Sequence, residues 1–540
     1  MIKTIISITI LFFGYITLSA QTVDQANRQL YYERYTSAVS SFHKAIVADP
    51  GNDEAWFGLV QALVLQGNTT KAADTLRLAP ASVQQASYYK VALGLVLLQQ
   101  DKQTEANEYF TQALKETKEK NPGILSAVAW SNTNSDAGDG NYAIELLKKA
   151  IKRDKHNAAL YVQLGDAWRK LGNSTEGYKA YHEAIQENGN YALAYYRMAE
   201  IFLTQKNVEL YVDYFKRAIA ADSIFSPALY RLYVYEFNRN PSKAMMYYEK
   251  YLANADPSIQ NEYDMADLLY LTHQYDLAVE NARRIVSIEG NNVRPRLFKL
   301  IGYSLAGSTD TVGAISYMRQ YFMSEADSNF ISKDYEIMGD LYASSVDKQD
   351  SAMLYYEKAA KIEKDKDALY SYYKKLATLA KEKKDYATQA EWLGKYYTDN
   401  EKATNLDLFN WGIALYRIEN YVQADSVFGL YVQKFPDQTF GYYWQARSKS
   451  LQDKEMKEGL AVPAYEKLIE VLQKDTLNAS YKKWIIEAYG YLATYEANAQ
   501  KDYAEAISYF QQILQIDPEN ETVKKNVEIL EKEVSDKDDK

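Results

Sequence analysis

Small residues return on a nearly fixed step along this chain, and that step governs what it can fold into. Ala150, Ala184 and Ala218 stand 34 and 34 residues apart, and Leu147, Tyr181 and Phe215 precede them by three. Gly165 and Ala199 keep the same step. Further on, Ala266, Gly302, Gly339, Ala377, Gly412 and Ala446 are separated by 36, 37, 38, 35 and 34 residues, as a repeat with variable loops requires. The other half of each unit has its own pattern: Ala38, Phe42, Ala45 and Pro50 return as Ala424, Phe428, Tyr431 and Pro436, and again as Ala506, Phe510, Ile513 and Pro518. Positions four and three apart share one face of a helix, so the small residue admits a neighbouring helix and the aromatic fills the gap beside it. Proline then ends the helix.

A period near 34 with two helices per unit, and the order Trp/Tyr, Leu-Gly, Tyr, Ala, Phe, Ala, Pro, resembles the tetratricopeptide repeat. In residues 157–190 the signature places fall on Tyr161, Leu164, Gly165, Trp168, Gly172, Gly177, Tyr181 and Ala184. The resemblance spans roughly residues 22 to 520, about fourteen units by that period. It is strongest at 157–224, 403–437 and 477–520, and weak at 84–140, where "AWSNTNSDAGDGNYA" is expected to shorten or distort a first helix. Near 438–475 the insert "LQDKEMKEGLAVPA" lengthens a turn. The implied fold is all-α, an α-α superhelix, with the solenoid at 21–520. Val523, Val527, Leu530 and Val534 form one apolar stripe on the charged segment 521–540, which is expected to cap the last repeat.

The first twenty residues, "MIKTIISITILFFGYITLSA", carry one lysine, an apolar run and a Ser-Ala close, the organisation of a secretory signal. Cleavage is expected after Ala20, with an uncleaved anchor as the alternative. No second hydrophobic run follows, so no stable membrane span is expected once the signal is removed. A net charge of -10 and a pI near 5.3 argue against nucleic acid or an anionic bilayer as the main partner. The absence of cysteine removes disulfides, thiolate metal sites and a cysteine nucleophile.

No catalytic constellation emerges. His43, His156, His182 and His273 lie far apart, without the clustering that zinc requires. There is neither a Gly-x-Ser-x-Gly elbow nor a phosphate-binding Gly-Lys-Ser/Thr loop. Neither metal nor cofactor is expected, and the chain is read as a non-enzyme. Tyrosine is abundant, with 50 residues and several Tyr-Tyr pairs such as Tyr31-Tyr32 and Tyr195-Tyr196; most are expected to pack the core.

The resemblance implies that the first helix of each unit lines a concave face. Residues one after the small position, or three before it, are then expected to face the groove: Asp166 and Val162, Glu200 and Tyr196, Ile413 and Phe409, with Tyr416 one turn on. Some family members capture a C-terminal carboxylate with Lys and Asn; Val162 and Asp166 stand there instead. The chain also resembles, in its helices alone, outer-membrane glycan-binding proteins of the SusD-like type. The reading is a protein- or peptide-binding scaffold exported to the periplasm or outer membrane of a Gram-negative bacterium. The alternative is a carbohydrate-binding protein with tyrosine platforms.

Overall fold

The computed structural model describes residues 22–473 and 479–538. The expected signal at 1–20 lies outside the described residues. Those residues form helices and turns without a strand. Fourteen helical hairpins follow one another among them, from residues 22–31 with Tyr35–Ala48 to Ala479–Tyr495 with Tyr503–Ile516. Helix Glu521–Asp538 then packs on the last hairpin, burying Val523 and Val527. The repeats divide into two compact units, Met1–Val293 and Arg294–Lys540.

Two local devices write the hairpin. In several hairpins the second helix starts at an Asn or Asp whose side chain accepts a hydrogen bond from a free amide of the first turn: Asn173 from Glu176, Asn207 from Leu210, Asn240 from Lys243. The residue just before that cap is commonly left-handed. Gly67 and Gly172 hold φ of 76°, but the same turn places Asp101, Lys206, His273, Thr309, Lys384 and Glu419 at φ between 56° and 68°. Side chains rarely adopt this region, so closure of the packed hairpin imposes it.

Packing within a unit turns on missing side chains. A methyl group on Gly165 would sit 2.3 Å from Tyr181 Cε1, one on Gly94 2.3 Å from Phe110, and one on Gly412 2.6 Å from Phe428. Tyr181, Phe110 and Phe428 are fully buried. Each ring therefore lies flush against the backbone of the facing helix, close packing that offsets the cost of about 1 kcal/mol for a glycine inside a helix.

The weak segment at 84–140 is more regular than expected. Helices Ser87–Gln99, Gln103–Glu116, Pro122–Thr133 and Gly140–Arg153 are all present. Only the turn after Thr133 is lengthened, and the buried Asn132 holds it, donating to Val128 C=O and accepting from Asp139 N–H. A short extra helix, Ala81–Gln84, precedes this region. The later insert folds around one carboxylate: Asp453 accepts the amides of Lys457, Glu458 and Gly459 at 2.9, 3.0 and 2.8 Å. Those bonds to the charged form outweigh burial and hold its pKa below the usual aspartate value.

The N-terminal unit also makes contacts that neighbour-to-neighbour stacking does not supply. Helix Tyr35–Ala48 has no cap of its own, and Asp256 provides one from 220 residues away, accepting Thr36 N–H at 2.7 Å. The same carboxylate takes Ser37 N–H at 3.2 Å and the Ser37 hydroxyl. Tyr32 donates to Asp222 at 2.8 Å, Ser226 donates to the Tyr32 carbonyl at 2.6 Å, and Leu193 N–H donates to the Tyr31 hydroxyl at 3.3 Å. Tyr31 packs edge-on against Phe225 at 5.1 Å and tilted against Tyr191 at 5.4 Å, and Tyr32 lies tilted against Phe225 at 6.3 Å. The first hairpin is thus clasped to residues 191–258.

Candidate functional site

The clasp turns the inner face of the N-terminal unit into a well. One part, about 440 Å³, is lined by Glu33, Tyr35, Glu54, Phe57, Tyr88, Trp130, Val162, Gln163, Asp166, Tyr191 and Arg197 among others. A second, about 520 Å³, lies against Glu33, Tyr35, Tyr196, Tyr230, Arg231 and Tyr251. The walls come from the first helices of successive hairpins, chiefly Asp53–Leu65, Ala158–Lys170, Ala192–Thr204 and Ser226–Glu236.

The 34-residue step sets out charge as well as packing. Gln163, Arg197 and Arg231 are 34 and 34 apart on consecutive first helices, as are Asp166 and Glu200. Arg197 therefore reaches Asp166 at 3.2 Å and Glu200 at 2.8 Å. Arg169 meets Glu200 at 3.1 Å, Arg231 approaches it at 3.6 Å, and the Tyr181 hydroxyl donates to Asp166 at 2.7 Å. Burial would push the Glu200 carboxyl up, but Arg197 and Arg169 outweigh it and hold the pKa below the usual range. Arg231 also donates weakly to the Tyr196 hydroxyl at 3.4 Å, and burial pushes that phenol up to about 12.

Of the residues singled out in the sequence, Val162, Asp166, Tyr196 and Glu200 are thus brought together in the N-terminal unit. Their orientation differs from expectation. Val162 is 2% exposed and Tyr196 4% exposed, so both belong to the wall and offer little surface to a guest. Tyr196 packs on Phe215 and Phe225 at 5.5 and 5.7 Å. Asp166 and Glu200 are half-buried and committed to arginines. Glu33, Glu54, Gln61 and Tyr88 were not singled out as groove residues, yet they line the well. Glu33 directly follows the Tyr31-Tyr32 pair, but nothing in its local pattern, or in that of the other three, announces a groove.

In the C-terminal unit Phe409, Ile413 and Tyr416 are half-buried and pack between hairpins. Phe409 touches Phe428, Tyr431 and Phe440 at 6.0 to 6.1 Å, and Tyr416 meets Trp444 at 4.9 Å. They form a spine of rings, and a cavity of about 610 Å³ in this unit lies elsewhere, against Tyr370, Lys374, Lys375, Tyr396 and Lys402. Its lysines are paired: Lys374 with Asp407 at 3.3 Å, Lys375 with Asp340 at 2.8 Å, Lys402 with Asp367 at 3.7 Å. Ring faces elsewhere in the unit are occupied by one another, Phe322 on Tyr335 at 5.3 Å and Tyr443 on Trp484 at 4.4 Å, so these stacks present no open sugar platform.

Among the described residues no group of three or more His, Asp or Glu is placed to hold a metal, and no helix is long and apolar enough to cross a membrane. Stacked helical hairpins around a mixed aromatic and polar well define a repeat protein of the α-solenoid class. Tetratricopeptide-repeat patterns match residues 30–94 and 488–520, so the chain carries tetratricopeptide repeats in both of its units. A curated relative is the anaphase-promoting complex subunit cut9 of Schizosaccharomyces pombe, 23% identical over 295 residues, covering 48% of this chain and 43% of that protein. The chain thus spans less than half the length of that relative. Similar solved structures include the C-terminal part of a TPR repeat-containing protein from Cytophaga hutchinsonii, 26% identical with a TM-score of 0.30, covering 49% of this chain and 98% of that one. Another is a tetratricopeptide repeat protein from Parabacteroides merdae, 18% identical with a TM-score of 0.27, covering 47% and 98%. Tetratricopeptide repeats generally serve as protein-interaction scaffolds without catalytic activity of their own.

Proposed function

We propose that this chain is a non-enzymatic protein-binding scaffold of the cell envelope, exported by its N-terminal signal into the periplasm or to the outer membrane of a Gram-negative bacterium. The N-terminal unit holds an extended segment of a partner protein in its well. The observation that carries this reading is the well itself: a concave surface made by the first helices of successive hairpins and lined by both aromatic rings and polar side chains, as peptide grooves require. The export half rests on the signal organisation of residues 1–20 alone.

A photo-crosslinking residue in place of Gln163, which lines the well half-buried, tests the site in living cells. Adducts to one or a few proteins, competed by excess unlabelled chain, are expected. Adducts formed equally by a residue at Gln423, on a second helix of the other unit, would overturn the assignment of the well. Fractionation with N-terminal sequencing tests export: a mature chain beginning at Gln21 in the periplasmic or membrane fraction is expected, and a cytoplasmic chain retaining Met1 contradicts it.

A further inference from the structure

We propose that the well of the N-terminal unit takes cationic side chains, lysines or arginines of an extended partner segment, onto the carboxylate of Glu33 and onto that of Glu54. This deepens the protein-binding reading and rests on it. The argument begins with the charges on the wall. The guanidinium groups lining the well are committed: Arg197 to Asp166 and Glu200, Arg231 to Glu200. Asp256 is spent on the amides of Thr36 and Ser37, and Asp53 accepts Tyr88 N–H at 3.1 Å. Glu33 and Glu54 remain. Both line the well, both side chains are exposed to it, and neither is within ion-pair distance of a described cation.

The surroundings of these two carboxylates ask for a counter-charge. Glu33 stands at the left-handed turn between the first two helices, φ 56°, and projects from the clasped hairpin toward the arginine ladder without joining it. Burial raises its pKa, with Glu200 adding to the rise and Arg197 and Arg231 opposing it without cancelling it. Burial likewise raises Glu54, and Asp53 and Asp24 add to it. The rings of Tyr35, Phe57 and Tyr88 flank the same space, and Phe57 and Tyr88 lie 5.8 Å apart. A carboxylate within aromatic walls suits an ammonium or guanidinium on an alkyl stem, whose charge meets the acid while the stem and ring faces share the rest. An acidic guest would meet two carboxylates and no uncommitted cation.

Fluorescence anisotropy on the full chain tests this with labelled Gly/Ser peptides carrying lysine, acetyl-lysine or glutamate at the same places. The lysine peptide should bind at least about tenfold tighter than its acetylated form and weaken with added salt. The double variant Glu33→Gln and Glu54→Gln should lose that preference while melting no lower than the native chain, since neither carboxylate makes a hydrogen bond or ion pair among the described residues and burial disfavours both charges. Calorimetry just above the ordinary glutamate pKa of about 4.3, in buffers of different ionisation enthalpy, should show more proton release on binding by the native chain than by the double variant. Equal affinity for lysine and acetyl-lysine, or a preference surviving in the double variant, overturns the proposal. If all three peptides bind alike, the cation fails while the groove stands. If none binds and the Gln163 crosslinker captures nothing, both fall.

Discussion

Gly165 and Gly172 stand seven residues apart and lack a side chain for opposite reasons. At Gly165 a methyl group would enter the ring of Tyr181, so Gly165→Ala should cost about 1–3 kcal/mol by overpacking, read from the denaturation midpoint. At Gly172 there is open space and φ is 76°, so Gly172→Ala should cost about 1 kcal/mol through the backbone alone. The same turn at Lys206 has φ 56°, and Lys206→Gly should stabilise by up to about 1 kcal/mol as left-handed strain exceeds the added chain entropy. An unchanged melt for Lys206→Gly would mean that the hairpin supports the strained residue without cost. Tyr196→Ala should cost about 3–5 kcal/mol, more than a groove-facing ring would, because the ring is buried against Phe215 and Phe225. Small residues at fixed spacing were legible because packing demands that residue type. Left-handed turns at Asp, Lys, His and Glu were not, because closure of the hairpin, rather than the side chain, sets φ there.

Between elements, the ion network on consecutive first helices makes stability depend on acid. Glu200 titrates lower folded than unfolded, so its contribution is fully present above the unfolded value near pH 4.3 and is lost as pH falls through the folded one. Glu33 has the opposite sign: its raised pKa means the folded state holds the proton more tightly, and stability declines as pH climbs above that same unfolded value. Thermal melts across pH should therefore show Glu200→Gln flattening the acid limb and Glu33→Gln raising the neutral plateau. Many helix starts were legible from Asn and Asp at the turn, as at Asn173, Asn207 and Asn240. The start of Tyr35–Ala48 was not, since its cap comes from Asp256. Asp256→Ala should cost about 1–2 kcal/mol and speed amide exchange at Thr36 and Ser37. No pattern within a window of one or two repeats could reveal such a partner. Glu33 and Glu54 went unnoticed for the same reason: they become neighbours of Val162 and Arg197 only once the hairpins have curled.

Across the chain, repeat number and helical class were readable because each hairpin restates the same spacing. The partition into two compact units and the closure of the first were not. A plain stack of hairpins is held only by nearest neighbours, so it frays from its ends and resists tension one repeat after another. The N-terminal unit has a different load path. Tension entering at residues 31–37 passes through the contacts of Asp256, Asp222 and Ser226 directly to residues 193–256. The hairpins between residues 53 and 187 are bypassed and carry no force until those few hydrogen bonds, loaded together, give way.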